Sequence, residues 1–289
     1  GDTIKLTITK QPIIITRIDE NRIKAYFNIC QHRGGPIVDE NNCYQQFQCQ
    51  YHGWIYTNEG KLKNARGFDK DELKKSDFNL KEINVSVWNG LMFINFDKRC
   101  NSLESIYEKL EKRINKRNFS SYQFYKRDSY NISCNWKIYM DNYLEGLHIP
   151  IVHPELNKTI NYKSYKTETH DQFSLQWCSI DPQLNPYKND SSEDLIAYYV
   201  TIFPNVILNI APGRLQTNIV EPIDEKNCSV HFDYYFEQID EKQIQKDLDF
   251  SDIIQREDIE ICESVQASYE AKGFKNGIIS KKYESGILH

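Results

Sequence analysis

The chain has 289 residues, 39% hydrophobic and 13% aromatic, which is enough for a sizeable core and for two domains or one large one. Its net charge of −5 argues against a nucleic acid or an anionic membrane as partner, since those call for a basic excess. No run of about 18 apolar residues offers a membrane span. Eight cysteines are scattered from Cys30 to Cys262, unlike a small secreted disulfide framework, and this points to a soluble protein in a reducing intracellular compartment, cytoplasm or organelle. The chain opens on Gly1 directly into a strand-like run and stops at His289 without a turn. Both ends are therefore expected to be truncated, leaving any targeting segment out of view.

Residues 1–98 read as an antiparallel β domain. IKLTIT, PIIITRI and RIKAYFNI are rich in β-branched and aromatic residues, with Asp19-Glu20-Asn21 as a turn. CYQQFQC, WIYTNEGKL and INVSVWNGLMFINF continue the style, and Asn89-Gly90 marks a hairpin. A helical period follows over 101–117, with Leu103, Ile106, Tyr107 and Leu110 on one face behind a Ser102 cap; it connects to a second domain, 99–289. There, strand-like runs between about 163 and 238, such as FSLQWCSI, IAYYVTIF and CSVHFDYYF, are flanked by two helical stretches. These are 135–149 and 251–270, the latter with Ser251 as N-cap and Ile253, Ile254, Ile261 and Val265 on its buried side. The fold class is α+β: a β domain, then an antiparallel sheet covered by helices.

Two short motifs in the first domain carry chemistry. Cys30-Gln31-His32 and Cys49-Gln50-Tyr51-His52 are separated by sixteen residues, and each sits where a strand gives way to a turn. Two loops that each present one thiolate and one imidazole can hold a two-iron cluster, with both cysteines on one iron and both histidines on the other, the Rieske arrangement. A structural Cys2His2 zinc site is the competing reading, but its ligand pairs are usually spaced by two to four residues, and the single-residue gap in Cys30-Gln31-His32 fits that poorly.

In the second domain the stretch NWKIYMDNYLEGLHIPIVHP, residues 135–154, places Asp141, Glu145 and His148 at i, i+4 and i+7 of the expected helix. Pro150 is expected to end that helix, which lets His153 fold back toward His148. Two imidazoles with carboxylates near them suit a divalent metal. With one carboxylate they make the facial triad of non-haem Fe(II) oxygenases, and the third ligand must come from elsewhere in the chain.

CQHRGG…CQYHGWIY and the pattern NWKxYxDNYxExxHxPxxHP resemble the Rieske non-haem iron oxygenases, the ring-hydroxylating family, over nearly the whole chain. The resemblance implies a Rieske [2Fe–2S] domain held by Cys30, His32, Cys49 and His52, followed by a helix-grip catalytic domain. The extra loop cysteines and the serine of respiratory Rieske proteins are missing, so fewer hydrogen bonds to sulfur and a lower potential are expected. Cys43 is left as a structural thiol. The resemblance also implies a mononuclear iron on His148, His153 and Asp258, the last in QREDIEICESVQ. Glu257 is the alternative, since neighbouring helical residues point about 100° apart and only one can face the iron. Glu145 matches the family's carboxylate that links a Rieske histidine of one subunit to the iron of the next, and Asp141 is a second candidate acid in the site. His170 and His231 lie in strands and read as structural.

Within the family, IFPNVILNIAPGRLQTNIVEPIDEKNCSVHFDYYF is most like the choline monooxygenase branch, and NYLEGLH is close to carnitine-oxygenase-like members. The resemblance implies an O2-dependent hydroxylation of choline toward glycine betaine. It also implies a ferredoxin or flavin reductase as electron donor and a head-to-tail homotrimer. A quaternary ammonium needs aromatic faces, for which Tyr143, Trp177, Tyr198, Tyr199 and Phe203 are the candidates. The alternatives are an aromatic-ring dioxygenase or a demethylase on the same scaffold, and, from a different class, an electron carrier or zinc protein using the first site alone.

Overall fold

The β-branched runs of the N-terminal region form strands in a computed structural model that describes residues 1–69, 71–114, 118–181 and 195–289. β1 (Asp2–Ile8), β2 (Gln11–Arg17), β3 (Ile23–Phe27) and β4 (Asn42–Cys43) come first. β5 (Gln46–Gln48), β6 (Ile55–Thr57) and β7 (Leu62–Asn64) follow, then β8 (Glu82–Trp88) and β9 (Leu91–Asn95). One antiparallel sheet has the order β4-β1-β2-β3-β8-β9, and a smaller one the order β5-β6-β7. Strand β2 is buried on both faces. Ile14 joins the cluster that holds Cys30, Cys49, Phe47, Trp54 and Tyr56, while Ile13 and Ile15 join a second cluster with Ala25 and Ile83. The metal-motif loops are thus anchored in a dense aromatic core, which fixes their backbone to within the tolerance of close packing. Cys43, expected to be structural, is exposed, because the two-residue strand that carries it lies at the sheet edge.

α1 (Leu103–Arg113) is the predicted connector, with Ile106 and Leu110 buried. Residues 115–117 of the predicted helical stretch lie outside the described residues. By its contacts the chain divides into two units, Gly1–Leu110 and Glu111–His289, and α1 runs across that division.

The second unit is organised on a seven-stranded antiparallel sheet. β10 (Gln123–Ile132) is followed by α2 (Trp136–Tyr143), α3 (Ile149–Val152) and α4 (Pro154–Thr159). Then come β11 (Lys166–His170), β12 (Phe173–Ser179), β13 (Ile196–Ile202), β14 (Val206–Ala211), β15 (Arg214–Pro222) and β16 (Cys228–Phe236). α5 (Glu241–Glu270) and the short α6 (Ser285–Leu288) close the chain. The strand order is β10-β16-β15-β14-β13-β12-β11. α2 and α5 pack together over the sheet, burying Tyr139, Met140, Leu248 and Cys262 against Val220, Val230, Phe232 and Tyr234.

Two helix expectations change. α5 begins ten residues earlier than the expected 251, because Asp240 caps it: its carboxylate accepts from the Lys242 and Gln243 amides at 3.1 and 3.2 Å. Ile244 and Leu248, one turn apart, bury the added turns, and Ser251 lies mid-helix. Ile253 is 48% exposed, because it lies about 200° around the helix from the buried Gln255. The predicted 135–149 helix stops at Tyr143, and single-turn α3 starts afresh at Ile149. Pro150 therefore sits in the first turn of α3, where its missing N–H costs nothing, and opens that helix instead of ending its predecessor. Among the described residues no helix is long and apolar enough to cross a membrane.

Candidate metal centres

In the first unit two loops close in the same way. The Gly34 amide donates to the Cys30 carbonyl at 3.0 Å, and the Gly53 amide donates to the Cys49 carbonyl at 3.0 Å. Both glycines have φ near +75°, at 75° and 73°, a left-handed conformation that side chains resist. The Cys30 amide donates to Gly35 O and the Cys49 amide to Trp54 O, each at 2.8 Å, so each cysteine is gripped from both sides by backbone.

The closure pairs the predicted donors, thiol beside thiol and imidazole beside imidazole. Both thiols are 2% exposed, and the His32 and His52 rings lie 4.7 Å apart between centroids. His32 stacks on Trp54 with planes 6° apart, and its buried Nδ1 has no hydrogen-bond partner. Burial, aided by the charges of His52 and Arg33, holds the His32 imidazole below its usual pKa and keeps it a neutral donor. Burial pushes the Cys30 thiol up, while the Tyr56 hydroxyl, 3.2 Å from its sulfur, pulls the other way. Two buried thiols and two half-buried imidazoles with an orphaned ring nitrogen suit an iron–sulfur cluster. Tyr56 supplies a contact to the Cys30 sulfur that was not among the expectations, which concerned the serine of respiratory Rieske proteins and its bond to a cluster sulfur. Tyr56 lies four residues beyond His52, where β6 turns its hydroxyl inward; the tyrosine was visible, but its direction was not.

The second centre is assembled from α2, α3 and α5. Asn135 caps α2 by accepting from the Lys137 amide at 3.0 Å, and its own amide donates to Gln266 Oε1 at 2.9 Å, which ties α2 to α5. Two further bonds, one helical turn apart on each helix, set the register. The Tyr139 hydroxyl donates to Gln255 Oε1 at 2.7 Å, and Asn142 Nδ2 donates to Asp258 Oδ1 at 2.6 Å. The carboxyl of Asp258 is thereby delivered beside the ends of α3.

His148 and His153 occupy the two ends of that single turn, with ring centroids 5.1 Å apart. Their Nδ1 atoms are both held by carboxylates: His148 by Glu145 Oε1 at 2.6 Å, His153 by Glu257 Oε2 at 2.7 Å. Their Nε2 atoms turn toward Asp258 Oδ1, at 3.9 and 3.0 Å. Donor atoms of His148, His153 and Asp258 lie within 4.8 Å of one another, a group that could hold one metal ion. Burial works against a charged His153, but bonds to Asp258 and Glu257 outweigh it and raise its pKa. A carboxylate on each Nδ1 fixes the tautomer that offers Nε2 to a metal. Glu257 occupies that supporting place, so the geometry favours Asp258 over Glu257 as the third donor.

Glu145 is buried, and its second oxygen accepts the Leu147 amide, holding the non-helical turn between α2 and α3. Asp141 is exposed and does not line the pocket beside the histidines. The reason is the early end of α2: Glu145 and His148 lie past its cap, so the face shared at i, i+4 and i+7 does not exist.

That pocket, about 130 Å³, lies between the sheet and the helices of the second unit. Of the five aromatic candidates, Tyr143 and Tyr199 line it. Trp177 and Tyr198, paired across β12 and β13, project from the other face, since Gln176 and Tyr199 are the pair that faces the pocket. Trp177 lies instead beneath Arg113, and Phe203 is 77% exposed at the end of β13. Tyr165 joins the pocket without a sequence signal. Tyr143 donates to Asn209 Oδ1 at 2.7 Å and Tyr165 to Gln176 Oε1 at 2.9 Å, and burial drives both phenols well above their usual pKa. Of the pocket amides Gln176, Asn209, Gln216 and Asn218, only Asn209 had a signal, as the one polar residue of its strand, VILNIA; the others lie in strands with several polar residues.

Residues 1–85 match the family model of the Rieske [2Fe-2S] domain, and residues 119–289 match that of the ring hydroxylating alpha subunit, catalytic domain. The chain is 29% identical over 282 residues to the chloroplastic choline monooxygenase of Arabidopsis thaliana, covering 91% of this chain and 66% of that protein. It is 28% identical over 298 residues to the carnitine monooxygenase oxygenase subunit of Acinetobacter pittii, covering 99% of this chain and 80% of that one. The chain thus spans just under two thirds of the length of the choline monooxygenases it matches. The solved structure of a quaternary ammonium Rieske monooxygenase, described for carnitine oxidation and inter-subunit electron transfer, superposes with a TM-score of 0.81 at 23% identity. That superposition covers 99% of this chain and 82% of that one. The two matched domain types imply a Rieske cluster and a mononuclear iron that works with O2, and the two donor sets fit them in number and chemistry. A Rieske domain ahead of this catalytic domain places the chain in one family: it belongs to the ring-hydroxylating oxygenase alpha subunits.

Proposed function

We propose that the chain is the oxygenase component of a Rieske monooxygenase that hydroxylates a small quaternary ammonium compound, choline before carnitine. The observation that carries this reading is the His148, His153 and Asp258 group at the wall of a pocket faced by Tyr143, Tyr165 and Tyr199. Iron bound there supplies open positions for reductive O2 activation, and the Rieske cluster supplies the electrons singly.

The chain's own residues do the rest. Cys30, Cys49, His32 and His52 hold the cluster, and His148, His153 and Asp258 hold the mononuclear iron. Glu145 and Glu257 keep Nε2 of each histidine directed at the metal through their bonds to Nδ1. Glu145 is also placed to follow a proton at Nδ1 of His148. The Tyr143 and Tyr165 rings, held by their bonds to Asn209 and Gln176, line the pocket with Tyr199, and aromatic lining attracts a cation that has no N–H to donate. The likeness to a relative with inter-subunit electron transfer supports an assembly in which one chain's cluster serves another's iron; the proposal takes it as a head-to-tail trimer with a ferredoxin or flavin reductase as donor.

The test is iron analysis joined to a substrate screen. About three irons per chain, a Rieske-type EPR signal and choline-dependent O2 uptake are expected. Zinc without colour, or no turnover of any quaternary amine, overturns the proposal; turnover of an aromatic acid instead moves it to a ring dioxygenase.

A further inference from the structure

Arg214 is the one Lys or Arg side chain among the described residues that line the pocket, and it does not face the pocket as an unbalanced charge. Its Nε lies 2.9 Å from Asp247 Oδ2, with side chains only 8% and 2% exposed. One terminal nitrogen donates to Gln216 Oε1 and approaches Ser251 Oγ at 3.4 Å, and the guanidinium lies 5.4 Å from the Tyr234 ring centroid. Asp247, on α5, sits behind the pocket wall and not in it. The pair is therefore neutral as the pocket senses it. Among the described residues, the carboxylates that line the pocket are those of Glu145 and Asp258, with Glu257 behind His153, and three carboxylates against a divalent iron would leave a negative balance.

We propose that the Arg214–Asp247 pair is the specificity determinant that admits a quaternary ammonium bearing only a neutral group and refuses one bearing a carboxylate. A cationic alcohol meets the tyrosine faces and finds amides, such as Asn218, for its hydroxyl. A zwitterion must bring its carboxylate into the same low-dielectric space, where Asp247 has already taken the compensating charge of Arg214. This inference rests on the functional reading above and adds to it which member of that substrate class fits.

The test is isothermal titration of the iron-loaded full chain with choline and with L-carnitine, in the parent and three variants. The parent is expected to bind choline about tenfold more tightly or better. Asp247→Asn, which removes the carboxylate paired with Arg214, shifts the ratio about tenfold toward L-carnitine, and Arg214→Gln, which removes the cation paired with Asp247, shifts it the other way. The double variant Arg214→Gln/Asp247→Asn restores the parent ratio. If Asp247→Asn fails to fold, the opposite shift in Arg214→Gln and the restoration in the double variant decide. Equal binding of both ligands by the parent, or an unchanged ratio in every folded variant, overturns the inference and the preference for choline, while leaving the reading as a quaternary ammonium monooxygenase intact. Binding of neither ligand overturns both.

Discussion

The two candidate metal centres are built in opposite ways. In the first unit the donors are placed by backbone: each loop, 30–34 and 49–53, is closed by an amide-to-carbonyl bond onto its cysteine and by a glycine at positive φ. In the second unit they are placed by side chains from elements more than a hundred residues apart, since Glu257 and Asp258 on α5 reach His153 beside α3. A backbone-set centre tolerates changes in the side chains around it but not in the loop's conformation. A centre set by side chains has the reverse sensitivity.

The strongest test of that contrast is His153→Ala. It removes a donor and leaves the Glu257 and Asp258 carboxylates without the imidazole that both of them bond. Iron should fall from about three to about two per chain, with loss of about a thousandfold or more in turnover and an unchanged Rieske EPR signal. A cluster signal lost together with the mononuclear iron would show that the centres do not assemble independently. Glu257→Gln comes next. It keeps the shape but weakens the hold on His153 Nδ1, and a drop of about 10- to 100-fold in affinity for the mononuclear iron is expected, measured by competition with a chelator. Gly53→Ala probes the other centre. A Cβ at φ 73° costs about 1–2 kcal/mol, so a lower denaturant midpoint and weaker cluster retention are expected, while the mononuclear iron stays. Equal loss of both irons in that variant would break the contrast.

This difference also explains what could be read from the sequence. The loop centre was legible because its donors are local: Cys30 to His32 and Cys49 to His52 carry their own geometry in their spacing. For the second centre the histidines were legible and their frame was not. Spacing placed Asp141 with Glu145 and His148 on one helix, but the Glu145 carboxylate takes the Leu147 amide and α2 ends before Glu145 is reached. The choice between Glu257 and Asp258 depends on the rotation of α5, which Tyr139–Gln255 and Asn142–Asp258 set from across the fold. Period two could place the aromatic residues of β12 and β13 on alternate faces, but it could not say which face held the pocket. Two of the three, Trp177 and Tyr198, therefore point to the wrong side.

The smallest expected effect bears on the one side chain that tunes the backbone-set centre. The Tyr56 hydroxyl lies 3.2 Å from Cys30 Sγ and accepts the Gln31 amide at 3.1 Å, so its proton is left for the sulfur. Such a donor stabilises the more anionic, reduced cluster and raises its potential. Tyr56→Phe removes it without opening a cavity. At about 1 kcal/mol for the bond, the potential should fall by about 40 mV, with iron content unchanged. Redox titration of the EPR signal measures the shift. An unchanged potential would mean that the loop amides alone set it, and the backbone would then govern the electronics of this centre as well as its geometry.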